Sequence, residues 1–474
     1  MENRHHDYGE MCLLRNAVPQ DPADFRQFPG SLAKNLYIRS TASHPCNLFA
    51  LKRSDARPLT QVQQMQQMNE ERSAAVEAVE PPLEQRLGIP GQFSTFIHCW
   101  RVLATLAVFL GHATRPDILF DIDFSLIGRA TIPPFLIVSG YFTTMSFAHG
   151  GRFFKKIAKR YFNLWVFFVP ASVLVLGMDF YLISVDSVIT TRDKFDPDMS
   201  GSRIALDAFN MLTFSGEYWS LSTFGQGVFS NEAFWTMDYI VGFTVLTGAL
   251  YLLSGWQRVV AVPVICAIIG PGVLLLSPLW FAGVLAYEGH KWCLYRGGTT
   301  SVDNFCQRLS NRGVRVSPKT LQRGSLGIVV GVFPLWALFE YYLVPSELYA
   351  WSKTFASYEW RQHLGMSKRY LGQWAYVPGL FALMFFARFI LDGPAPAWLS
   401  RIAATGSRYA FPVYAIHFTL LYLTESLIPN YVPRHDTIGP YIMMTSSLGL
   451  SLLFGYLCFR WVVPVTDLWA KRVF

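Results

Sequence analysis

Arg101 and His112 stand eleven residues apart in CWRVLATLAVFLGHA, a segment that is otherwise apolar. A guanidinium and an imidazole are costly within a membrane-spanning helix. Where they occur there, they face the bundle interior and serve a pathway or a reaction. Eleven steps of about 100° leave the two within about 20° of one helical face and about 16 Å apart along the axis. An imidazole titrates near neutral pH and can take the proton of a hydroxyl, which makes His112 the candidate general base. Arginine stays charged and stabilises an anion with more force in a low-dielectric cavity than in water, which is the chemistry expected of Arg101. The plainer alternative is an arginine that snorkels to the headgroups and a histidine that caps the helix end.

Other polar groups recur along the apolar segments. In TIPPFLIVSGYFTTMSF, Ser139-Gly140 permits close approach of a neighbouring backbone. With no GxSxG elbow in the chain, Ser139 is expected to line or pack a cavity rather than to act as a nucleophile. Arg152, Lys155, Lys156, Lys159 and Arg160 place five cations within nine residues at the entrance of the next segment. Such a block serves as a topology signal and anionic-lipid contact, or as a clamp for a phosphorylated ligand. Its i, i+4 pairs concentrate the charge on helical faces. NEAFWTMDYIVGF brings Glu232, Trp235, Asp238 and Tyr239 to a helix end, where Trp and Tyr suit an interfacial belt and Asp238 lies further in. In RYAFPVYAIHFTLLY, Tyr414 and His417 are one turn apart, and His417 is expected to be a second polar group of the same cavity. The seven cysteines form no CxxC pair and no Cys/His cluster with zinc spacing, so neither a structural disulfide nor a metal site is expected.

The elements that must position these residues follow from composition. Of 474 residues, 52% are hydrophobic, 16% aromatic and only 15% charged, against about 25% charged in average soluble domains. With a mean hydropathy of +0.27, this is an all-α, polytopic membrane bundle without a separate soluble enzyme domain. About ten apolar segments of spanning length fall near 94–113, 124–148, 161–184, 231–253, 257–276, 278–292, 325–345, 373–391, 408–428 and 440–463. The two that meet at Ser277-Pro278 are expected to form a tight hairpin. With the N-terminus inside, the basic stretches HGGRFFKKIAKR, 291–323 and Lys471-Arg472 share the cytoplasmic side, while TRPDILFDID and the 185–230 stretch lie opposite. Only the 346–372 loop, with Lys353, Arg361, Lys368 and Arg369, runs against this N-in, C-in topology. The net charge of +8 follows from such basic loops and calls for no nucleic acid. Residues 1–93 are polar, show no signal peptide and read as a disordered cytoplasmic extension, with a start at Met65 or Met68 as the alternative. Residues 94–463 form the membrane domain and 464–474 a short cytoplasmic tail.

The motifs resemble those of the integral-membrane acyltransferase 3 family, the bacterial O-acyltransferases that modify surface glycans. The family's Arg-x10-His signature matches Arg101 and His112. Its Pro-x-Phe-x-x-Ser-Gly pattern resembles PPFLIVSGY at 133–141, and its basic entry to the third helix resembles FFKKIAKRYFNLW, with Arg160 in the arginine position. The Trp-Thr-Met motif matches 235–237, and the late motif ending in Tyr-x-x-His matches Tyr414 and His417. The likeness spans about residues 95–463 and departs at Ile240, where many members carry a glutamate; either Asp238 substitutes from the same segment or this branch dispenses with the acid. The resemblance implies a multi-pass enzyme of the bacterial inner membrane that moves an acyl group, acetyl being the expected one. The donor would be cytoplasmic acyl-CoA, a co-substrate rather than a permanently bound cofactor, and the acceptor a hydroxyl of an extracytoplasmic or lipid-linked glycan. It implies His112 and Arg101 as catalytic residues, Lys155, Lys156, Lys159 and Arg160 on the CoA phosphates, and Ser139, Trp235, Asp238, Tyr414 and His417 around the cavity. A transporter or exporter, with the same buried charges relaying protons or binding substrate, is the rival reading.

Overall fold

A computed structural model describes residues 90–114, 132–185, 200–219, 230–231, 234–294, 302–342, 348–354, 364, 367, 370–427 and 438–473. The expectations for residues 1–89, for Glu232, for the acidic stretches 115–131 and 186–199, and for Arg361, Lys368 and Arg369 lie outside them. Two units divide the chain, Met1–Glu80 and Pro81–Phe474, and every element described belongs to the second.

Among the described residues the architecture is helical, with no β-strand. The first helices are α1 (Gly91–Ala113), α2 (Ile132–Ala148), α3 (Phe153–Ser184), the short α4 (Gly201–Thr213) and α5 (Trp235–Leu252). Next come α6 (Gly255–Leu274), α7 (Ser277–Cys293), the short α8 (Val302–Ser310), α9 (Pro318–Tyr342) and α10 (Tyr349–Thr354). The last are α11 (Tyr370–Trp374), α12 (Val377–Ile390), α13 (Ala397–Leu427) and α14 (Gly439–Leu457), which continues through a π-helical turn (Cys458–Val462) into α15 (Val463–Val473). The 464–474 tail is thus largely helical. By length and composition, α1, α3, α6, the run Tyr370–Ile390 and the run Gly439–Thr466 are able to cross a membrane, and α2 is apolar but shorter. Helices suit lipid because each satisfies its own backbone hydrogen bonds.

Contacts fix the helix directions. Along α1 and α13, Gln92 N–H donates to the Gly393 carbonyl (3.0 Å) and Thr95 meets Ser400 (2.8 Å), while further on His112 meets the ring of His417, so the two helices run parallel. α2 runs the other way, with Phe135 stacked on Tyr414 and Phe142 beside Arg101. α3 begins where α2 ends, as Lys156 donates to the Ser146 carbonyl (2.6 Å), and finishes beside Ser230, whose N–H donates to Asp179 (2.8 Å). One end of the bundle therefore gathers Lys155, Lys156, Lys159, Arg160, Lys291 and Arg308, and the other holds His112, Asp179 and Asp207.

The expected hairpin at Ser277-Pro278 is present in sequence order, but α6 packs along α5 and α7 packs across α2 instead of along each other. α6 itself breaks at Gly270 (φ 79°), a backbone region that favours glycine, just before Pro271. Pro271 has no N–H to give the Ala267 carbonyl, and the indole N–H of Trp219 donates there instead. At the α2–α7 crossing, a Cβ on Gly283 would fall on the Ile137 carbonyl and one on Gly140 on the Trp280 carbonyl. Only glycine lets the two backbones touch. Gly283→Val should therefore destabilise the protein by about 1–3 kcal/mol, as overpacking does. Thermal unfolding in detergent checks it, with Gly449→Val, where nothing lies within 4 Å, expected to leave the midpoint unchanged.

Candidate active site

Two polar clusters form at the two levels that α1 assigns to His112 and Arg101. At the first, the His112 ring lies 5.5 Å from that of His417 and edge-on to Phe418 at 4.6 Å, with Phe109 6.1 Å from His417. His112 is half-buried, whereas His417 is 1% exposed. Its Nδ1 lies 3.0 Å from the Tyr414 carbonyl oxygen, which can only accept, so the ring proton sits on Nδ1. Nε2 then carries the lone pair, and it is buried without a partner. The Tyr414 hydroxyl donates to Thr236 Oγ1 (2.5 Å), and its ring stacks on Phe135 at 5.6 Å.

The opposite face of α13 is held from behind. Ser230 and Thr419 hydroxyls pair at 2.7 Å, and the Asn231 amide donates to the Ala415 carbonyl (2.7 Å). These anchors sit two residues either side of His417, about 200° round the helix, so they fix the face it presents to α1.

At the second level the Arg101 guanidinium lies over the rings of Phe142 (5.6 Å) and Phe411 (5.3 Å), a cation–π setting that suits a desolvated charge. Arg160 donates to Thr143 Oγ1 (2.7 Å) and lies 5.6 Å from the Phe147 ring, close enough for its charge to act on that of Arg101. Phe135, Ser139 and Phe142 follow one another on one face of α2 at i, i+4 and i+7, so half-buried Ser139 stands between the two levels.

The basic block divides by helical face. Lys156 and Arg160 turn inward, and the Lys156 ammonium neutralises the carbonyl end of α2. Lys155 and Lys159 are exposed and take no part in the cluster. Trp235 is half-buried and packs edge-on to Tyr239 at 5.2 Å. Asp238 is buried, but its Oδ2 accepts the Glu217 N–H (3.0 Å) and its carbonyl accepts the Tyr218 hydroxyl (3.0 Å). It therefore secures the 214–219 segment, about 200° round α5 from Thr236. Thr143, Thr236 and the phenylalanines beside Arg101 were not among the expected site residues. A helical wheel reaches Thr143, one turn beyond Ser139, while nothing in sequence links Thr236 to Tyr414.

A family model described as an acyltransferase domain matches residues 94–460. The chain belongs to the acyltransferase 3 family. No curated protein and no solved structure matches it. The matched region of this membrane acyltransferase includes both clusters, and the match sets the transporter reading aside. Ile240 is one turn beyond Thr236 on the same side of α5, whereas Asp238 lies about 200° round the helix from Thr236. The Tyr414–Thr236 bond joins α13 to α5 within the acyltransferase core. Tyr414→Phe and Thr236→Val should each cost about 1 kcal/mol, and the double variant little more than either alone, in a thermal double-mutant cycle.

Proposed function

We propose that the protein transfers an acyl group, acetyl in the simplest case, from cytoplasmic acyl-CoA to a hydroxyl of a glycan or lipid-linked saccharide across a bacterial inner membrane. The observation that carries this reading is one unbroken helix, α1, that delivers Arg101 to a cationic cluster and His112 to a histidine pair. Arg101 and His112 are about 16 Å apart along α1. The guanidinium stands at Phe411, about 9 Å along α13 from His417, a distance within the span of an extended pantetheine arm. Arg101 is accordingly placed on the anionic part of the donor with Arg160, rather than on the tetrahedral intermediate beside His112. Two guanidiniums that repel each other in a half-buried site gain from an anion between them.

At the other level the acceptor oxygen attacks the thioester carbonyl carbon while His112 takes its proton. The tetrahedral intermediate then collapses, the C–S bond breaks, and His112 returns the proton to the departing sulfur. The products are an ester and free CoA. Ten crossings with both termini inside agree with the alternating helix directions and with the cations gathered at one end. That end then faces the cytoplasmic donor, and His112 faces the acceptor. Lys155 and Lys159, being exposed, contact anionic headgroups.

Purified protein in nanodiscs with labelled acetyl-CoA and surface-glycan extracts tests the reaction. His112→Ala should lower kcat by about 100-fold or more. Arg160→Ala should raise KM for acetyl-CoA about tenfold, whereas Lys159→Ala should leave it within about twofold. Absence of CoA binding and of acyl transfer to every extract would falsify the proposal.

A further inference from the structure

We propose that the bridge between α3 and α13 at Asp179, Ser230, Asn231 and Thr419 binds one alkali-metal cation, with Asp179 Oδ1 and Asn231 Oδ1 as its principal ligands. The inference goes beyond the proposed acyl transfer and does not rest on it. Ser230 and Asn231 fill the gap behind His417. The Ser230 N–H donates to Asp179 Oδ2 on α3 (2.8 Å), and the Ser230 hydroxyl pairs with that of Thr419 on α13 (2.7 Å). The Asn231 amide nitrogen donates to the Ala415 carbonyl (2.7 Å), one turn before Thr419. A carbonyl can only accept, so this bond fixes the amide with its oxygen turned the other way. Each bond uses one end of a side chain and leaves the other over. Asp179 Oδ1 and Asn231 Oδ1 are both buried without a hydrogen-bond partner, on residues 0% and 3% exposed.

Two buried oxygens that can only accept call for a positive ligand, and charge decides which one. Asp179 lies in α3, a helix able to cross a membrane, and among the described residues no ion pair forms at it. Asp207 is close enough for its charge to act on Asp179, and it is itself matched by Arg203 at 3.2 Å. A carboxylate inside a membrane bundle is costly, and where it occurs it marks an ion site or pathway. A carboxylate oxygen, an amide oxygen and two hydroxyls are hard ligands, which suit alkali and alkaline-earth cations rather than zinc or iron. One negative charge matches a monovalent ion. Calcium sites gather several carboxylates, and among the described residues no group of three His, Cys, Asp or Glu side chains could hold a metal ion. The cation ties α3 to the back of α13, two residues from His417.

The test needs no acyl donor or acceptor. The full chain in nanodiscs is exchanged into N-methylglucamine chloride and titrated with NaCl or KCl at constant ionic strength. One of the two salts should raise the thermal midpoint saturably, by about 5 °C, and radioactive sodium or rubidium should bind at about one ion per chain. Asp179→Asn keeps an acceptor for the Ser230 N–H and loses the charge, so it should abolish saturable binding. Thr419→Val leaves the carboxylate in place and should weaken binding about tenfold. Asp303→Asn, at an exposed position on α8, should leave it unchanged. A wild type that neither ion affects, or saturable binding retained in Asp179→Asn, overturns the inference. So does a protonated-carboxyl infrared band in the wild type that both salts leave unchanged and Asp179→Asn removes, because the site then holds a proton.

Discussion

The parallel packing of α1 on α13 is the contact on which the rest of the site depends. Arg101 and His112 share a face of α1, but each becomes useful only through what α13 sets beside it: Phe411 at the level of the arginine, His417 and Phe418 at the level of the histidine. Phe411, Tyr414, His417 and Phe418 recur at helical spacing, so they line about 10 Å of α13. A slip of one turn would leave the guanidinium without its aromatic neighbours and would part the imidazoles. Such register is fixed at both ends, by the Gln92–Gly393 and Thr95–Ser400 bonds near the start and by the anchors of Ser230 and Asn231 behind His417.

A second constraint is that no backbone or buried polar group can turn to water inside the bundle. The 214–219 segment shows how the protein meets it. Its Glu217 N–H ends on Asp238, its Tyr218 hydroxyl on the Asp238 carbonyl, and its Trp219 indole on the carbonyl that Pro271 leaves open. An aspartate that looked like a site residue thus carries structure. Close packing imposes a further requirement at the α2–α7 crossing, where glycine on each helix lets α2 carry Phe135 to Tyr414, Phe142 to Arg101 and Thr143 to Arg160.

Charge is divided between the two ends of the bundle in the same spirit. The i, i+4 periodicity at the start of α3 splits one basic block into an inward pair, Lys156 and Arg160, and an outward pair, Lys155 and Lys159. The inward pair lies against the end and side of α2, and the outward pair is exposed. One short sequence therefore carries both an inward and an outward cationic face.

Much was legible in the chain alone. Hydropathy and segment length gave a helical membrane protein, because lipid admits few other structures. The eleven-residue spacing of Arg101 and His112 placed both on one face, because helical geometry is local. Motif order pointed to the acyltransferase 3 family. Which face of each helix meets which partner was not legible, since that depends on contacts between residues hundreds of positions apart. Asp238 turns to the 214–219 segment, Lys159 turns outward, and Thr236 holds Tyr414 because of how α5, α3 and α13 are rotated about their axes. The surroundings of His417 were likewise decided by packing: its Nδ1 meets the Tyr414 carbonyl one turn back, and its Nε2 is buried among the helices.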